Sequence, residues 1–331
     1  MTPPTFADPM LLLILGLAID GLFGDMPSIF RHVPHPVVLA GRAVAFFDRR
    51  LNRPIRSEAS RRARGTITVV VLVGTAAALG LAIQRASRGS LAGAVVECLL
   101  IATLVAQRSL YDHVSAVAQA LDTGGLPGAR EAVRHIVGRD PVSLDKFGVA
   151  RAAIESLAEN FSDAVVAPVF WYLLCGLPGL FAYKMANTLD SMVGYRTPRY
   201  RSFGWAAARF DDVLNIVPAP LSGLLLIIAA AFARHGRPGR ALAIMLRDGR
   251  KHHSPNAGWP ESAMAGALGL ALAGPRRYPE GLVADPWLGD GTARAVTPDI
   301  ARALKLYCRA CVILGGLVLC AWLATHVARP L

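Results

Sequence analysis

The sequence is poor in charged residues. Only 18% of its 331 residues are charged, whereas 53% are hydrophobic. Soluble globular domains usually contain about 25% charged residues and a smaller apolar share. The mean hydropathy of +0.42 agrees with this comparison. The scarcity of charge therefore argues against a soluble domain and favours a membrane protein.

Cysteines and nucleotide-binding motifs are scarce as well. Three of the five cysteines lie within apolar runs, and Cys308 and Cys311 form one C-x-x-C without the second pair that a zinc site needs. The chain has no G-x-x-x-x-G-K-[ST], G-x-G-x-x-G or H-E-x-x-H motif. The sequence thus indicates neither a disulfide framework nor a common soluble nucleotide-binding fold. A bound nucleotide would have to be held by dispersed acidic and basic side chains.

Long apolar runs are what the sequence has in quantity. A helix needs about 20 mainly apolar residues to cross a bilayer. Runs that approach or reach this length cover residues 66–83, 89–107, 164–183, 213–233 and 310–328, and a shorter one covers 10–23. We predict an all-α, polytopic helical membrane protein that forms a single domain over residues 1–331.

The net charge of +12 is concentrated beside these runs. Residues 31–64 contain nine arginines against Asp48 and Glu58, and residues 234–251 contain six Lys or Arg residues against Asp248. This distribution follows the positive-inside rule for cytoplasmic loops. It lacks the interleaved aromatic residues of a single-strand binder. We expect contact with membrane lipid and no nucleic-acid partner.

A polar helical insert separates the early and late apolar runs. Residues 107–163 predict amphipathic helices at 111–121 and 129–137, and a third helix from Leu144 that Asp145 or Ser143 could cap. Residues 274–298, rich in Gly and Pro, predict an ordered loop before the last membrane helix.

The membrane topology contains a conflict. Counting spans from an outside N-terminus places residues 184–212 outside, yet this segment is basic. The runs that flank it contain Pro168 and Pro178 on one side, and Pro218 and Pro220 on the other. Broken helices are tolerated in membranes where they are buried or line a cavity. We therefore predict kinked or re-entrant helices around a cytoplasm-facing polar site.

Polar residues cluster beside the apolar runs in five places. The first cluster could bind a metal through Asp20 and Asp25 and a phosphate through Arg31, His35 and Arg42. Its alternative interpretation is a capped helix end with arginines that reach the membrane interface.

The second cluster consists of charged residues that recur at every fourth position. Arg151, Glu155, Glu159 and Asp163 would share one helical face, opposite an apolar face. Salt bridges between i and i+4 on a solvated helix would also explain the pattern. However, these acids run directly into a membrane segment, where an ionisable group is costly unless it is used or paired. This cost favours a functional role for the three acids over salt bridges on a solvated helix.

The third and fourth clusters flank the basic segment. Asn187 and Asp190 are spaced to share a hard cation such as Mg²⁺, and Lys184 and Arg196 flank them. The fourth cluster contains Asp211, Asp212 and Asn215 at the entrance to the next apolar run. Ordinary helix capping is the alternative interpretation of both clusters.

The fifth cluster is a basic loop that leads into a short apolar helix. It contains Arg250, Lys251, Asn256, Glu261 and Ser262. Backbone amides at such a helix start, beside Arg and Lys, suit an anionic ligand. From the residues alone, the five clusters support a membrane enzyme that uses a metal and phosphate.

The order of the clusters and their residue sequences resemble those of the CobD/CbiB family of adenosylcobinamide-phosphate synthases over nearly the whole chain. The resemblance rests on long blocks such as Asn-Thr-Leu-Asp-Ser-Met-Val-Gly-Tyr at 187–195 and Ser-Pro-Asn-Ala-Gly-Trp-Pro-Glu at 254–261. Shorter matches are Ile-Val-Gly-Arg-Asp at 136–140 and Ala-Pro-Val-Phe-Trp at 167–171.

The resemblance implies ATP-dependent amide formation between adenosylcobyric acid, a corrinoid substrate, and (R)-1-aminopropan-2-ol or its O-phosphate, with Mg²⁺ as a cofactor. Under this reading the residues fall into three groups. The catalytic group is Glu155, Glu159, Asp163 and Asp190. The substrate and phosphate group is Arg31, His35, Arg42, Lys184, Asn187, Arg196, Arg250, Lys251, Asn256 and Glu261. The metal group is Asp20, Asp25, Asp190, Asp211 and Asp212.

The resemblance also implies a multi-pass protein of the inner cell membrane with its active site on the cytoplasmic side. A homo-oligomer, or a complex with other membrane enzymes of the corrin pathway, is compatible with it. Two other classes would use intramembrane acids. A transporter would show paired halves, which the sequence lacks. A Mg²⁺-dependent membrane phosphoalcohol transferase would concentrate its acids on one or two helices, whereas here they span residues 20 to 261.

Overall fold

The computed structural model describes residues 8–24, 30–31, 34–137, 141–278, 281–283 and 285–327. The chain forms two compact units. The first unit is built from the described parts of 1–106, 167–215 and 318–331, and the second from those of 107–166 and 216–317.

Helices dominate both units. In chain order they are α1 (Pro9–Phe23), α2 (Pro36–Leu51), α3 (Glu58–Ser87), α4 (Leu91–Leu104), α5 (Gln107–Thr123), α6 (Gly125–Arg134), α7 (Lys146–Asn160), α8 (Ala167–Val193), α9 (Trp205–Leu214), α10 (Pro218–Ala231), α11 (Pro238–Asp248), α12 (Gly258–Leu268) and α13 (Thr297–Val327). Short 3₁₀ turns cover Pro141–Ser143 and Gly249–Lys251, and a π-helix covers Phe161–Val166. The all-α prediction is confirmed.

Several helices are long and apolar enough to cross a membrane. Four helical stretches of the described chain meet this criterion: Glu58–Ser87, Leu91–Thr123, Lys146–Val193 and Thr297–His326. The pair α9 and α10 becomes a fifth if the two are one broken span, and α1 is a shorter apolar helix. These elements coincide with the six apolar runs of the sequence, which confirms a polytopic protein.

Sequence signals account for the helix ends. The carboxylate of Asp8 caps α1 by accepting hydrogen bonds from the backbone amides of Met10 and Leu11. Ser57 and Ser90 cap α3 and α4 in the same way. Asp145 caps α7 through the amide of Gly148 at 2.6 Å, as one of the two predicted caps. Such side chains satisfy backbone amides that the first helical turn leaves unpaired.

Each flanking run breaks near one of its two prolines. Within α8, Gly176 has a φ of 64° and a ψ of −152°, and Pro178 follows it. A side chain is rarely tolerated at this positive φ, whereas glycine adopts it readily. The other flanking run is also broken, and Pro218 starts the helix α10 after this break. The prediction of kinked or re-entrant helices is therefore supported by both flanking segments.

Within the first unit, residues 197–204 are tied to the segment that joins α2 and α3. Asp48 accepts a hydrogen bond from Asn52 at 2.8 Å and from the Arg199 guanidinium at 2.6 Å. Asn52 also donates to the carbonyl oxygen of Arg199, and Arg61 donates to the same carbonyl. These bonds place residues 197–204 at the same face of the unit as residues 48–61.

The opposite end of α3 meets the break in α8. A Cβ atom at Gly80 would stand 2.7 Å from the carbonyl oxygen of Leu177. Near its start, α3 instead contacts Phe203, which follows α8. The part of α8 after Gly176 therefore runs antiparallel to α3 and returns the chain to the face that carries residues 48–61. This supports the prediction that the basic segments 31–64 and 184–212 share one side of the membrane.

Labelling of a cysteine at position 197 tests this topology. In a variant without native cysteines, we expect Thr197→Cys to react with a membrane-impermeant maleimide from the same side as Arg53→Cys. Arg88→Cys, at the other end of α3, should react only from the opposite side. Thr197 is exposed, so a lack of access does not confuse the result. Labelling of position 197 from the side that labels position 88 would contradict a shared face for residues 48–61 and 197–204.

The second unit contains the polar insert and the late loop. The predicted helices of the insert are confirmed as α5, α6 and α7, with the third beginning after Asp145 rather than at Leu144. The predicted loop 274–298 and the two residues before it contain short antiparallel pairs: Leu272–Ala273 (β1) with Trp287–Leu288 (β4), and Arg276–Tyr278 (β2) with Gly281–Val283 (β3). The sequence has no alternating pattern long enough to predict strands of this size.

Candidate functional site

The third and fourth sequence clusters meet in the first unit. We call this the aspartate cluster, and it consists of Asn187, Asp190, Asp211, Asp212 and Asn215. The last two turns of α8 carry Asn187 and Asp190, and α9, which packs against α8, carries Asp211 and Asp212. The spacing of residues along each helix predicted the Asn187 and Asp190 pair and the Asp211 and Asn215 pair. Packing of the two helices brings these pairs together.

Hydrogen bonds hold the centre of the aspartate cluster. Asn215 is fully buried and donates to one carboxylate oxygen of Asp211, Oδ2, at 3.0 Å. Tyr183 donates to the Asn215 side-chain carbonyl at 3.0 Å. The amide side chain of Asn187 also hydrogen-bonds Asp211. These contacts orient a carboxylate that is 7% exposed.

The other carboxylate oxygen of Asp211 points to a ligand. Oδ1 is buried and has no hydrogen-bond partner among the described residues. Asp190 and Asp212 lie close enough to interact with Asp211 electrostatically. Grouped negative charges repel each other and are costly to bury. A cation, or a cation with a phosphate, would satisfy the unpaired oxygen and offset this repulsion.

The aspartate cluster fits magnesium in one particular manner. Among the described residues, no group of three or more His, Cys, Asp or Glu side chains is arranged to hold a metal ion by itself. Mg²⁺ commonly takes only one or two protein carboxylates and completes its shell with water and substrate phosphates. Asp211 and Asp190, supplemented by the asparagine oxygens, match that mode of binding.

Basic and small residues complete this region. The guanidinium of Arg209 pairs with Asp212 at 3.2 Å, and Arg196 also interacts electrostatically with Asp212. The Asp190 carboxylate lies directly over Gly194, where a Cβ atom would overlap its oxygen. Gly194 is therefore required for the position of Asp190.

The first cluster lies in the same unit. His35 caps α2, because its Nδ1 accepts a hydrogen bond from the amide of Val37 at 3.2 Å. For His35, this contact agrees with the alternative interpretation of the first cluster, a capped helix end. Asp20 is buried in the last turns of α1, whereas Arg31 and Arg42 are exposed. Asp25 lies outside the described residues.

Lys184 borders an apolar cavity. The cavity has a volume of about 260 Å³ and lies between α2, α3 and α8. Its walls include Val37 and Leu72, and Thr188 is a further polar residue there. Phosphate binding by Lys184 stays a prediction.

The fifth cluster lies in the second unit around a buried carboxylate that the sequence did not single out as functional. Asp248 is fully buried and is held by both ends of the Arg247 guanidinium, at 2.8 and 2.6 Å. It also accepts from the Lys251 ammonium at 2.7 Å and from the amide of Gly289 at 2.9 Å. Asp248 therefore positions Lys251, a predicted phosphate-binding residue.

This network changes the ionisation of Asp248. Burial alone would raise the pKa of the Asp248 carboxyl, but the hydrogen bonds from Arg247, Lys251 and Gly289 outweigh burial and hold the pKa well below its usual range. The pKa of exposed Asp290 is also lowered, through its contacts with Arg240 and Arg247. The carboxylate of Asp248 thus stabilises the folded protein only while it is ionised.

A pH titration tests this network. Because the pKa is lower in the folded protein, the stabilisation is present above the unfolded-state pKa of about 3.9 and is lost as the pH falls below it. We expect Asp248→Asn to lose on the order of 1–3 kcal/mol at pH 7 and to show a flatter melting-temperature profile from about pH 5 towards pH 1, the range over which the stabilisation by such a carboxylate is lost. Asp122→Asn, at an exposed position of α5, is the control. Parallel profiles for wild type and Asp248→Asn would contradict the assignment.

Two consecutive histidines, buried His252 and exposed His253, accompany the fifth cluster. The imidazole of His252 lies 3.9 Å from the Glu261 carboxylate, and both side chains are buried. His253 stacks on His252 with ring centroids 4.2 Å apart and lies 3.8 Å from Asp285. The consecutive histidines were visible in the sequence, but their acidic partners lie on α12 and in the late loop. Arg250 lies over the Trp259 ring, and Asn256 is buried before α12.

The second cluster requires a correction. The alternative of a solvated helix is wrong, because α7 is buried on every side over 152–158. Small residues such as Ala152, Ala153 and Ser156 allow neighbours to pack closely there. The four-residue periodicity also ends at Asn160, since the π-helix Phe161–Val166 places Asp163 on a wider turn. Isolated π-turns occur frequently at functional sites.

Glu155 and Arg151 bind backbone groups of the second unit. The Glu155 carboxylate is 5% exposed and accepts the amide of Ala273 at 2.8 Å. Ala273 has a φ of 57°, which is unusual for a residue other than glycine. Arg151 donates to the carbonyl oxygen of Ala293 at 2.6 Å. Both contacts position the late loop, and neither corresponds to a solvated helix.

Glu159 is exposed and Asp163 is half-buried at the junction of α7 and the π-helix. The helix α7 packs against α12, so the second and fifth clusters lie on adjoining helices. The structure therefore joins the third cluster to the fourth and the second to the fifth. The convergence of all five clusters on one pocket stays a prediction.

Comparison with known proteins agrees with the resemblance in the sequence. Residues 13–307 match the family described as CobD/Cbib protein. The chain is 50% identical to cobalamin biosynthesis protein CobD of a Sinorhizobium species, over 94% of this chain and 97% of that protein. It is 49% identical to the protein of the same name from Brucella suis, over 94% and 96% of the two chains. The protein of that name from Rhodobacter capsulatus is 46% identical, over 94% and 98%. No solved structure matches the chain.

Proposed function

The chain belongs to the CobD/CbiB family, and we propose that it is the membrane ligase of cobalamin biosynthesis that joins adenosylcobyric acid to (R)-1-aminopropan-2-ol or its O-phosphate. The shared name of the relatives supports the role in cobalamin biosynthesis. The amide-forming reaction is the more specific part of the proposal. It rests on the aspartate cluster.

One observation carries the chemistry. A buried aspartate, Asp211, presents an oxygen without a hydrogen-bond partner among the described residues. Two further carboxylates lie beside it, and Arg209 and Arg196 flank them. An anionic centre next to cationic side chains suits a phosphate that arrives with its counter-cation. Such a centre supports phosphoryl chemistry better than a purely structural role, which would leave no oxygen unsatisfied.

The reaction requires activation of a carboxylate. In our proposal, a corrinoid carboxylate attacks the terminal phosphorus of ATP, ADP leaves, and an acyl phosphate forms. The amine then attacks the acyl carbon, inorganic phosphate leaves, and the proton of the amine passes to a carboxylate of the protein. Catalysis of such steps depends mainly on positioning and on stabilisation of charge.

The residues of this chain would divide that work. Asp190 and Asp211 would hold Mg²⁺, which would neutralise phosphate oxygens. Arg196 and Lys184 would orient the transferred phosphate, and charged donors of this type form the strongest hydrogen bonds to phosphate.

The resemblance also assigns roles to residues of the second and fifth clusters. Glu159 or Asp163 would be the general base that accepts the proton of the amine. Lys251, held by Asp248, would bind the phosphate of an aminopropanol phosphate together with Arg250. Asn256 and Glu261 would position the remaining substrate. We place this site on the cytoplasmic side of the inner membrane, where ATP is available.

Reconstitution with defined substrates tests the proposal. Purified protein is mixed with adenosylcobyric acid, ATP, Mg²⁺ and either aminopropanol or its O-phosphate, and the amide and ADP are quantified. We expect both products in equal amounts, and the faster amine identifies the natural substrate. A transporter would form neither product, and a phosphoalcohol transferase would consume a nucleotide-linked alcohol instead. Absence of amide with both amines would overturn the proposal.

A further inference from the structure

A further polar region of the protein is lined by residues that none of the five clusters contains. It is a cavity of about 370 Å³ in the second unit, between the end of α10, the end of α12 and the first half of α13. We call it the basic cavity. Its polar walls are Arg234, His235, Arg302, Lys305 and Arg309.

The charge of the basic cavity is largely unbalanced. None of its lining residues is acidic. Arg302 is paired with Asp299 at 2.8 Å and also donates to the carbonyl oxygen of Leu268 at 2.7 Å, so it is part of the framework. Within the described parts of the chain, no carboxylate forms an ion pair with Arg234, Lys305 or Arg309. Cations gathered without counter-charges repel each other, and an anionic ligand removes that repulsion.

The position of the basic cavity indicates the source of the anion. It follows directly after α10, an apolar helix of a candidate broken span, and it lies at the start of α13, a candidate span. Phe232, beside Arg234, is 73% exposed, and Val312, one turn beyond Arg309, is 75% exposed. Large exposed apolar side chains next to basic ones are typical of the level at which lipid headgroups lie. A soluble phosphate ligand would not require these apolar neighbours.

The walls of the cavity fit both parts of a lipid. Ala230, Ala267, Leu268 and Leu306 form its apolar lining. Basic pockets between membrane helices bind the headgroups of anionic phospholipids, and guanidinium groups bind two phosphate oxygens at once. We propose that the basic cavity binds the phosphodiester of an anionic phospholipid, with Arg234 and Arg309 as the main ligands. This site is independent of the proposed ligase reaction.

Lipid titration of the purified full-length protein tests the proposal. Binding of phosphatidylglycerol and of phosphatidylcholine is measured by native mass spectrometry in detergent. We expect wild type to prefer phosphatidylglycerol, and the double variant Arg234→Gln/Arg309→Gln to lose affinity by roughly ten- to thirty-fold, since each surface cation contributes about a factor of five. The matched control is Arg49→Gln/Arg53→Gln, which removes two exposed arginines of the first unit and should bind as wild type does.

Two further measurements separate the remaining explanations. Arg234→Lys/Arg309→Lys keeps the charge and should retain most of the preference, whereas an unfolded variant would bind neither lipid. Pyrophosphate, a soluble phosphate, should not displace phosphatidylglycerol at millimolar concentration. Equal binding of both lipids by wild type, or an equal loss in the Arg49/Arg53 control, would overturn the proposal. Displacement by pyrophosphate would assign the cavity to a soluble anion and would overturn it as well.

Discussion

Replacing Asp190 by asparagine should reduce amide formation by roughly a hundred- to a thousand-fold, the usual effect of removing one electrostatic contact in an active site. The asparagine keeps the shape of the side chain over Gly194 but removes the negative charge beside Asp211. A cation shared by these carboxylates would then be bound weakly. The rate of ADP and amide release, measured at saturating ATP and Mg²⁺, checks this result.

The stability of the same variant distinguishes a catalytic role from a structural one. Three neighbouring carboxylates repel each other, so removal of one charge should keep or raise the melting temperature in detergent without Mg²⁺. Added Mg²⁺ should raise the melting temperature of wild type more than that of Asp190→Asn, because a ligand that binds the folded state stabilises it. Asp122→Asn is the activity control. A lower melting temperature together with normal activity would show that Asp190 is structural.

Replacing Gly65 by alanine should destabilise the first unit by about 3 kcal/mol, the upper part of the range for overpacked cores. A Cβ atom at position 65 would overlap the carbonyl oxygen of Phe203, and a backbone group cannot rotate away as a side chain can. The contact also lies beside the buried cluster that contains Val69, Leu189 and Phe203. The loss is measured as a fall in melting temperature and in resistance to denaturant.

Gly74 provides the matched control for this prediction. It lies on the same helix, α3, but a Cβ atom there would meet nothing within 4 Å. Alanine is favoured over glycine inside a helix by roughly 0.5–1 kcal/mol, so Gly74→Ala should be neutral or slightly stabilising. Equal melting temperatures for Gly65→Ala and Gly74→Ala would show that α3 does not pack closely on residue 203.

Local signals in the chain predicted most helices and their breaks. The apolar runs, the cap at Asp145, and the prolines Pro178 and Pro218 all act within a few residues, so they are readable without the fold, whereas the break at Gly176 itself was not predicted. The pairing of Asn187 with Asp190, and of Asp211 with Asn215, was readable for the same reason. The contact between these two pairs in the aspartate cluster could not be predicted, because it depends on the packing of α9 against α8.

The roles of individual acids were harder to predict. Asp248 lies in a basic segment beside its partners Arg247 and Lys251, but its complete burial and its bond from the distant amide of Gly289 depend on the fold. Glu155 looked like part of an acidic stripe, yet one of its oxygens holds the amide of Ala273. A spacing of four residues reports a shared helical face, but it does not report what packs on that face.

The sequence by itself determined the class of the protein: a helical chain with too little charge and too many apolar runs to be soluble, and with polar blocks typical of one family. The tertiary structure decided which of the scattered acids share a site, which of them serve as anchors for the backbone, and which basic segments share a face. The division has a physical cause. Hydrophobicity and capping act between near neighbours in the chain, whereas burial and charge pairing depend on helices that are distant in sequence.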